Sequence, residues 1–262
     1  MGKLKRALTI AGTDPSGGAG IQADLKTFQA FGVYGLSVVT SVTAQSSRRV
    51  HGVSGLSPEF VKLQFEAVLS DIGVDGVKTG MLLNQETVLA VSEKLENSRI
   101  PHVVVDPVLL SSAGDALLET SAIGLFIERL LPLATLITPN LSEARRLSVS
   151  EIKGPDDLKK AAFRIHELGC KAVLIKGGHL KGDPVDLLFD GNKFIQFSGK
   201  RLPVDVHGTG CTLSAAILSC LLLGKPLDKA VAAAKTYVYQ TIERAFRLGK
   251  GSGLLNHDVR KG

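Results

Sequence analysis

The sequence predicts one α/β domain built around a mostly parallel β-sheet, and three observations indicate this fold. Short apolar runs rich in β-branched residues alternate with stretches of helical periodicity along the whole chain. Several of these runs end in polar loops, at 12–20, 106–108 and 138–140, and parallel sheets bind ligands at such strand ends. The 262 residues, 44% of them hydrophobic, suffice for one large core without a linker, so we expect 1–262 to form a single domain.

The pattern of residues 4–55 predicts a strand, a loop, a helix, a second strand and a flap. Residues 4–11 form the strand, 12–20 the loop and 21–31 the helix, whose apolar residues recur at helical spacing. A second buried strand is expected at 36–44, followed by a small flap of short strands near 45–55. The loop glycines loosely match a dinucleotide-binding fingerprint, but the second strand lacks the acidic residue of that motif, which disfavours a dehydrogenase.

The remaining strands and helices alternate as a parallel sheet requires. Ser57 is expected to cap a helix at 58–69. Asp-Gly-Asn at 190–192 indicates a hairpin turn. Further strands are expected at 76–81, where the strand ends in a loop, and at 102–105, 134–137, 172–176, 185–189 and 194–197; further helices are expected at 85–95, from 141, and at 155–168, 210–223 and 227–247.

Composition argues against several classes of protein. The net charge of +6 comes from scattered Lys and Arg, and three Tyr with no Trp leave few rings for base stacking, so we expect no nucleic-acid partner. No apolar run approaches the ~20 residues that span a bilayer, and no signal peptide is apparent, so we expect a cytoplasmic protein without membrane contact. Three widely spaced Cys fit a reducing compartment without disulfides. A basic protein also suits anionic substrates such as ATP.

The segment 205–217 carries the strongest functional signal. Gly208 and Gly210 permit backbone geometries that side chains forbid, and a helix is expected to begin near Gly210. A helix that starts from such a loop presents free N–H groups at the positive end of its dipole, where phosphate binds. Cys211 lies in the first turn, so we expect its pKa to fall below that of a free thiol. The alternative is a plain Gly-rich turn before a core helix, with an inert Cys.

The same residues carry a family resemblance. His-Gly-Thr-Gly-Cys-Thr at 207–212, followed by small residues, resembles the anion-hole motif of the ribokinase-like kinases. Most of that superfamily has Asp at the position of Cys211. The motif with Cys resembles that of the hydroxymethylpyrimidine and phosphomethylpyrimidine kinases of thiamine synthesis and of related pyridoxal kinases. Further segments match this family in its order along the chain: 11–28, 43–45, 78–81, 106–108 and 138–144.

The resemblance implies a ribokinase-like three-layer sandwich and a homodimer with the flap at its interface. It implies a Mg²⁺-dependent kinase that moves the γ-phosphoryl group of ATP to the hydroxymethyl oxygen of a substituted pyrimidine, and then phosphorylates that product. The residues implied are Gly208, Gly210 and Cys211 for catalysis; Gln45, Asp24, Gly12, Met81 and Val108 for the substrate; Asn140, Lys176, Thr209 and Lys235 for the nucleotide; and Glu143 and Asp106 for the metal.

Alternatives remain open for several of these residues. Asn140 could act only as a helix N-cap, with the acidic residue three positions later completing a capping box, and Asp24 could lie on a solvated helix face. His179 resembles a residue near the nucleotide but could be polar surface, while 46–49 and Ser112 depart from the family pattern in loops expected near the substrate. Two other functions therefore stay open: the same chemistry on pyridoxal or pyridoxine, and a non-catalytic protein that senses a pyrimidine or nucleotide.

Overall fold

The computed structural model describes residues 4–110, 116–178 and 183–259. His179 and Ser112 lie outside these ranges. In chain order the strands are β1 Arg6–Ala11, β2 Tyr34–Val39, β3 Ser41–Gln45, β4 Val50–Gly55, β5 Gly76–Thr79, β6 Val103–Val105, β7 Leu136–Ile137, β8 Val173–Ile175, β9 Val185–Phe189, β10 Phe194–Ser198, β11 Val206–His207 and β12 Gly253–Leu254. The helices are α1 Gly20–Ala30, α2 Pro58–Asp71, α3 Gln85–Glu96, α4 Ile123–Leu125, α5 Leu141–Ser148, α6 Pro155–Glu167, α7 Thr209–Leu222 and α8 Leu227–Glu243.

Eight strands form a central sheet in the order β10-β9-β8-β7-β6-β5-β1-β2. The pairs from β2 across to β8 are parallel, whereas β9 and β10 add antiparallel strands at one edge. The mostly parallel sheet that the sequence predicts is therefore confirmed. In such a sheet the carboxyl ends of the parallel strands lie along one edge, where ligands bind.

Helices cover both faces of this sheet. In β6, Val103 and Val105 belong to one hydrophobic core and Val104 to the other, because successive side chains of a strand point to opposite faces. Side chains of α2, α3, α5 and α6 complete the first core, and those of α1, α7 and α8 complete the second. The expected three-layer sandwich is confirmed.

The single strand expected at 36–44 is wrong, because the chain divides at Thr40 into β2 and β3. The backbone N–H of Thr40 donates to the carbonyl oxygen of Ala11 (3.0 Å), and its hydroxyl donates to that of Met81 (2.7 Å). These bonds hold Thr40 at the end of β1, while β3 leaves the central sheet and pairs with β4. β-Branched residues continue through the break, so composition does not locate it.

Other differences concern element ends and short elements. Helix α8 ends at Glu243 instead of 247, because the chain then turns and Phe246 bonds to Leu254 through backbone N–H and carbonyl groups (3.1 and 2.8 Å). An irregular helical segment over 120–133, which includes α4, and the short β11–β12 pair are absent from the sequence-based prediction. Both are too short or too irregular to show a clear period.

The flap is the antiparallel hairpin β3–β4, which lies outside the central sheet. It begins at Ser41, before the expected 45–55. Its apolar side chains include Val42 and Val53, which are 49% and 41% exposed. Among the described helices, none has the length and apolarity required to cross a membrane.

Candidate active site

The predicted functional residues gather where strands of the central sheet end beside the start of α7. Gly12 follows β1, Asp106 follows β6, Asn140 follows β7 and Lys176 follows β8. Asn140 and Lys176 are paired by a parallel β-bridge. The carboxyl edge of the sheet therefore brings together residues from four separate segments, as the strand-end loops in the sequence predict.

The turn before α7 requires glycine at position 208 and is closely surrounded at position 210. Gly208 has φ +90°, and a Cβ atom there would lie 1.8 Å from the carbonyl oxygen of Gly18. A Cβ atom on Gly210 would lie 3.2 Å from Nζ of Lys176 and 3.6 Å from Oδ2 of Asp106. The N–H of Thr212 makes the first helical bond, to the carbonyl oxygen of Gly208 (3.0 Å). The N–H groups before it belong to the first turn, which lacks intrahelical acceptors and attracts anions.

A cleft of about 880 Å³ opens beside this turn. It extends from the start of α7 along α8 and the segment that follows β10. The four residues expected to bind the nucleotide, Asn140, Lys176, Thr209 and Lys235, all line it. Nζ of Lys235 lies 2.6 Å from Oδ2 of Asp186, so this ion pair holds the Lys235 side chain in place.

The two residues expected at the metal lie beside Lys176. Its Nζ is 2.8 Å from Oδ1 of Asp106. Burial lowers the pKa of Lys176, but the carboxylates of Asp106 and Glu143 outweigh it and the pKa is raised. Burial raises the pKa of Glu143. The Lys176 cation opposes this rise, and the Asp106 carboxylate reinforces it. The three groups thus form one electrostatic unit next to Gly210.

Asn140 and Glu143 also form the capping box that the sequence allows. Oδ1 of Asn140 accepts the N–H of Glu143 (2.9 Å), and Oε2 of Glu143 accepts the N–H of Asn140 (2.8 Å). The other Glu143 oxygen accepts the N–H of Leu109 (3.3 Å). Since both Glu143 oxygens already accept hydrogen bonds, this carboxylate fits contact with a metal through water better than direct ligation.

Of the expected substrate residues, Gly12 and Met81 lie together at the end of β1, and Val108 lies in the loop after β6. A Cβ atom on Gly12 would lie 2.5 Å from Cε of Met81 and 2.7 Å from Oγ of Ser41, so these groups are closely packed. Val108 has φ +44°, a left-handed conformation that costs a non-glycine residue about 1–3 kcal/mol. The next residue, Leu109, donates its N–H to Glu143, which holds the Val108 loop against the buried carboxylate.

Gln45 ends β3 and reaches across to the turn before α7. Its Nε2 lies 3.1 Å from Nε2 of His207, and that ring nitrogen lies 3.4 Å from Oδ2 of Asp14. Neither Asp14 nor His207 is among the residues singled out from the sequence. His207 directly precedes Gly208, and Asp14 opens the Gly-rich loop, so their places in the two motifs were the available signal.

Asp24 is buried, which contradicts the solvated helix face that the sequence allowed. Its side chain is fully buried and lies 2.8 Å from Nζ of Lys78, which is also fully buried, and it accepts a hydrogen bond from the hydroxyl of Thr9 (2.6 Å). It therefore does not lie on a solvated face. Burial lowers the pKa of Lys78, but the charges of Asp24, Cys211 and Asp106 outweigh it and the pKa is raised.

The expected low pKa of Cys211 is wrong. Burial raises the pKa of this thiol to about 11; the Lys78 cation opposes the rise and the carboxylates of Asp24 and Asp106 reinforce it. The helix dipole at the first turn does not overcome this desolvation. At neutral pH Cys211 is therefore a thiol, able to hold and orient a hydrogen-bonding group.

The pH dependence of alkylation checks this state. Modification of Cys211 by iodoacetamide should be slow near pH 7 and rise about tenfold per pH unit towards pH 10, because the thiolate fraction rises until the pH reaches the pKa. Cys170 and Cys220 are buried and serve as internal controls that stay unmodified in the folded protein. Rates measured by peptide mass spectrometry that level off below pH 8 would contradict the raised pKa.

Comparison with known proteins agrees with the family resemblance. The family described as phosphomethylpyrimidine kinase matches residues 14–256. The hydroxymethylpyrimidine/phosphomethylpyrimidine kinase of Rhizobium meliloti is 48% identical over 256 residues, which cover 96% of each chain. The thiamine biosynthesis bifunctional protein ThiED of Geobacter sulfurreducens is 50% identical over 252 residues, which cover 95% of this chain and 51% of that protein. The chain thus spans about half the length of this bifunctional relative.

A solved structure shares the fold as well. The pyridoxal kinase from Staphylococcus aureus in complex with ADP has a TM-score of 0.91 and 37% identity, covering 99% of this chain and 96% of that one. The chain therefore belongs to the phosphomethylpyrimidine kinase family, whose members are phosphotransferases with a ribokinase-like fold.

Proposed function

We propose that this chain transfers the γ-phosphoryl group of ATP to the hydroxymethyl oxygen of 4-amino-5-hydroxymethyl-2-methylpyrimidine, and then phosphorylates the monophosphate to the diphosphate for thiamine biosynthesis. The observation that carries the proposal is the start of α7, where Gly210 faces the Lys176 cation and the Asp106 carboxylate. Relatives that match nearly the whole chain bear the name of this kinase.

The proposed nucleotide site is the 880 Å³ cleft that ends at this turn. The Staphylococcus aureus pyridoxal kinase, which shares the fold, was solved with ADP. Lys176 and Thr209 line the inner part of the cleft beside the free N–H groups, which suits phosphates, while Lys235 lines the part formed by α8. The cleft thus offers cations and backbone donors to a polyanion without a Walker-type loop.

Phosphoryl transfer depends on positioning and on neutralising charge. The N–H groups at the start of α7 are fixed by the Gly208 turn, so they stabilise negative charge on the transferring group without rearrangement. Lys176 adds a full positive charge next to Gly210, held there by Asp106. Cys211, as a neutral thiol in the same turn, orients the substrate hydroxyl, since a loose transition state requires little proton removal until late.

The residues at the proposed metal site suit Mg²⁺, which prefers hard oxygen ligands and keeps several of its waters. In the described part of the chain, no three His, Cys, Asp or Glu side chains cluster at metal-binding distance. Asp106 presents Oδ2 towards Gly210, and both Glu143 oxygens already accept backbone N–H groups, so a largely hydrated ion fits this pair. When bound, the ion would neutralise charge on the nucleotide phosphates.

The proposed pyrimidine preference depends on Gln45. A carboxamide pairs twice with an aminopyrimidine edge, because it accepts from the amino group and donates to the adjacent ring nitrogen. Pyridoxal has no amino group beside its ring nitrogen and would leave the amide partly unpaired. Gly12, Met81 and Val108 are the apolar candidates for contact with the ring, and Asp24, also expected at the substrate, is buried in its pair with Lys78.

The flap also supports a proposal for the assembly. A homodimer with the β3–β4 hairpin at its interface would cover Val42 and Val53, which are 49% and 41% exposed in the single chain. An antiparallel hairpin outside the central sheet has free edges, which favour association with another chain.

Substitution of Gly210 tests the anion-binding turn. Gly210→Val should fold but lose about 10²-fold or more in kcat, because the added carbons displace Lys176 and block the approach of phosphate to the N–H groups. Gly124→Ala is the control, since a Cβ atom there meets nothing within 4 Å. Steady-state turnover of Gly210→Val close to that of the unmodified protein would remove the turn from the mechanism.

The substrate is tested by ADP release with hydroxymethylpyrimidine, with pyridoxal and with neither, each with and without Mg²⁺. Hydroxymethylpyrimidine should give the highest kcat/KM, and removing Mg²⁺ should abolish turnover. Gln45→Leu should raise KM for the pyrimidine about 5- to 150-fold and affect pyridoxal much less. Equal losses on both substrates would mean that Gln45 only ties the strand to the turn, and no ADP release with any substrate would favour a sensing protein.

Sedimentation tests the dimer. The chain should sediment as a dimer, and Val53→Asp on the exposed face of the flap should shift it towards the monomer, because burying an unpaired carboxylate opposes association. Val149→Asp, at a side chain that is 88% exposed and far from the flap in sequence, is the control and should leave the dimer intact. A monomer at all concentrations refutes the proposed assembly.

A further inference from the structure

Asp14, His207 and Gln45 form a polar chain that joins the loop after β1, the turn before α7 and the end of the flap. Nε2 of His207 lies 3.4 Å from Oδ2 of Asp14 and 3.1 Å from Nε2 of Gln45. The side chain of His207 is 23% exposed and that of Asp14 is 2% exposed. The same ring nitrogen therefore contacts both neighbours.

Asp14 can only accept hydrogen bonds. Its carboxylate accepts the N–H and hydroxyl of Ser16 (2.9 and 2.7 Å) and the N–H groups of Gly18 and Ala19 (3.2 and 2.8 Å). Burial raises the pKa of Asp14, but the hydrogen bonds from His207, Ser16 and Ala19 outweigh it and lower the pKa to about 2. Asp14 is therefore an anion throughout the working pH range, surrounded by donors.

The two contacts make opposite demands on Nε2 of His207. Facing a carboxylate, this nitrogen must carry a hydrogen and donate it. Facing the NH₂ group of Gln45, the same nitrogen must be unprotonated and accept. One ring nitrogen cannot do both, and a bond to a charged acceptor is about twice as strong as one between neutral groups. The Asp14 carboxylate, for which His207 acts as a donor, therefore favours the form of the ring with the hydrogen on Nε2.

A half-turn of the Gln45 carboxamide removes the conflict. It exchanges the amide oxygen and nitrogen in place, so that Oε1 faces the N–H of His207 and the NH₂ group points away from the ring. This holds for an imidazole protonated at Nε2 and equally for an imidazolium, since Nε2 donates in both. The carboxamide then has one preferred orientation.

We propose that His207, oriented by Asp14, is a positioning residue that determines substrate specificity by fixing the order in which Gln45 presents its acceptor and its donor. The inference rests on the proposed function, in which Gln45 pairs with the substrate ring. The oxygen of Gln45 lies on the side of His207 and its NH₂ group on the far side. An aminopyrimidine fits when its amino group faces the oxygen and its ring nitrogen faces the NH₂ group.

The groups around His207 hold its ring in place, so Gln45 keeps its order of acceptor and donor. A Cβ atom on Gly18 would lie 3.1 Å from Cδ2 of His207, and one on Gly208 would lie 1.8 Å from the Gly18 carbonyl oxygen. His207 is also paired with Leu254 in the β11–β12 ladder. The His207 ring is therefore held between the Gly-rich loop and β12. It does not reorient to suit a Gln45 amide whose NH₂ group faces the ring.

The first test compares the aminopyrimidine with its 4-oxo analogue. In the analogue a carbonyl acceptor replaces the amino donor, and a ring N–H donor replaces the ring-nitrogen acceptor. The unmodified protein should favour the amino compound about 5- to 150-fold in kcat/KM. In His207→Phe the amide turns freely, so the preference should fall at least about fivefold, mainly in KM. Ser252→Ala, which removes an exposed hydrogen bond to Asp205 next to the same strand pair, should keep the full preference.

A purely structural role for His207 predicts a different result. It would lower kcat/KM for both compounds by the same factor and leave their ratio unchanged, and that outcome overturns the proposal. His207→Asn, which keeps a polar side chain of smaller size, replaces His207→Phe if the latter does not fold. Thermal unfolding and ADP binding of each variant check that the fold and the nucleotide cleft are intact.

The second test needs no turnover. In ¹⁵N NMR spectra of the ligand-free protein, Nε2 of His207 should show the shift of a protonated nitrogen, and in Asp14→Asn this signature should weaken or vanish. An unprotonated Nε2 in the unmodified protein overturns the proposal. If neither pyrimidine is phosphorylated, the proposed function fails, and the NMR result alone decides whether Asp14 orients His207. If the amino compound is preferred but His207→Phe keeps that preference, only this inference fails.

Discussion

The close approach of Gly208 to the carbonyl oxygen of Gly18 fixes the geometry of the whole site. With a Cβ atom the two would be 1.8 Å apart, and the left-handed φ of +90° at Gly208 independently favours glycine. The contact joins the turn before α7 to the loop after β1, two segments that are distant in the sequence. Because α7 starts from this contact, its first turn lies beside the 880 Å³ cleft, and His207, directly before the turn, contacts Gln45.

Around the turn the protein buries charges that a core tolerates only when they are paired. Lys78 and Asp24 are both fully buried, and Lys176 is held by Asp106. Removing one partner of such a pair costs about 3–5 kcal/mol, so each charge depends on its partner. The same burial raises the pKa of Cys211, which explains why desolvation, and not the helix dipole, sets the state of the thiol.

The sequence predicts the fold and the anion-binding turn because both have local signals. The alternation of apolar strands with helices predicts the layers, and the glycines before α7 predict the turn. The solvated face considered for Asp24 and the low pKa expected for Cys211 are wrong for a common reason: burial depends on tertiary contacts. In the sequence Asp24 resembles a surface residue, because its ion-pair partner Lys78 belongs to a separate segment, β5. The roles of Asp14 and His207 depend on a distance between separate segments, which no single stretch of sequence encodes.

In the function proposed for this chain, recognition of the substrate ring is separate from phosphoryl transfer. The turn, the cleft and the buried charges can serve any hydroxymethyl group on a flat nitrogen heterocycle, and proteins named as pyrimidine and pyridoxal kinases share this fold. Gln45 lies at an irregularity of the β3–β4 ladder, where the register shifts between Ala44 and Gln45. Such a bulge redirects a side chain without disturbing the rest of the hairpin. Specificity can therefore change at one strand end while the transfer site remains fixed.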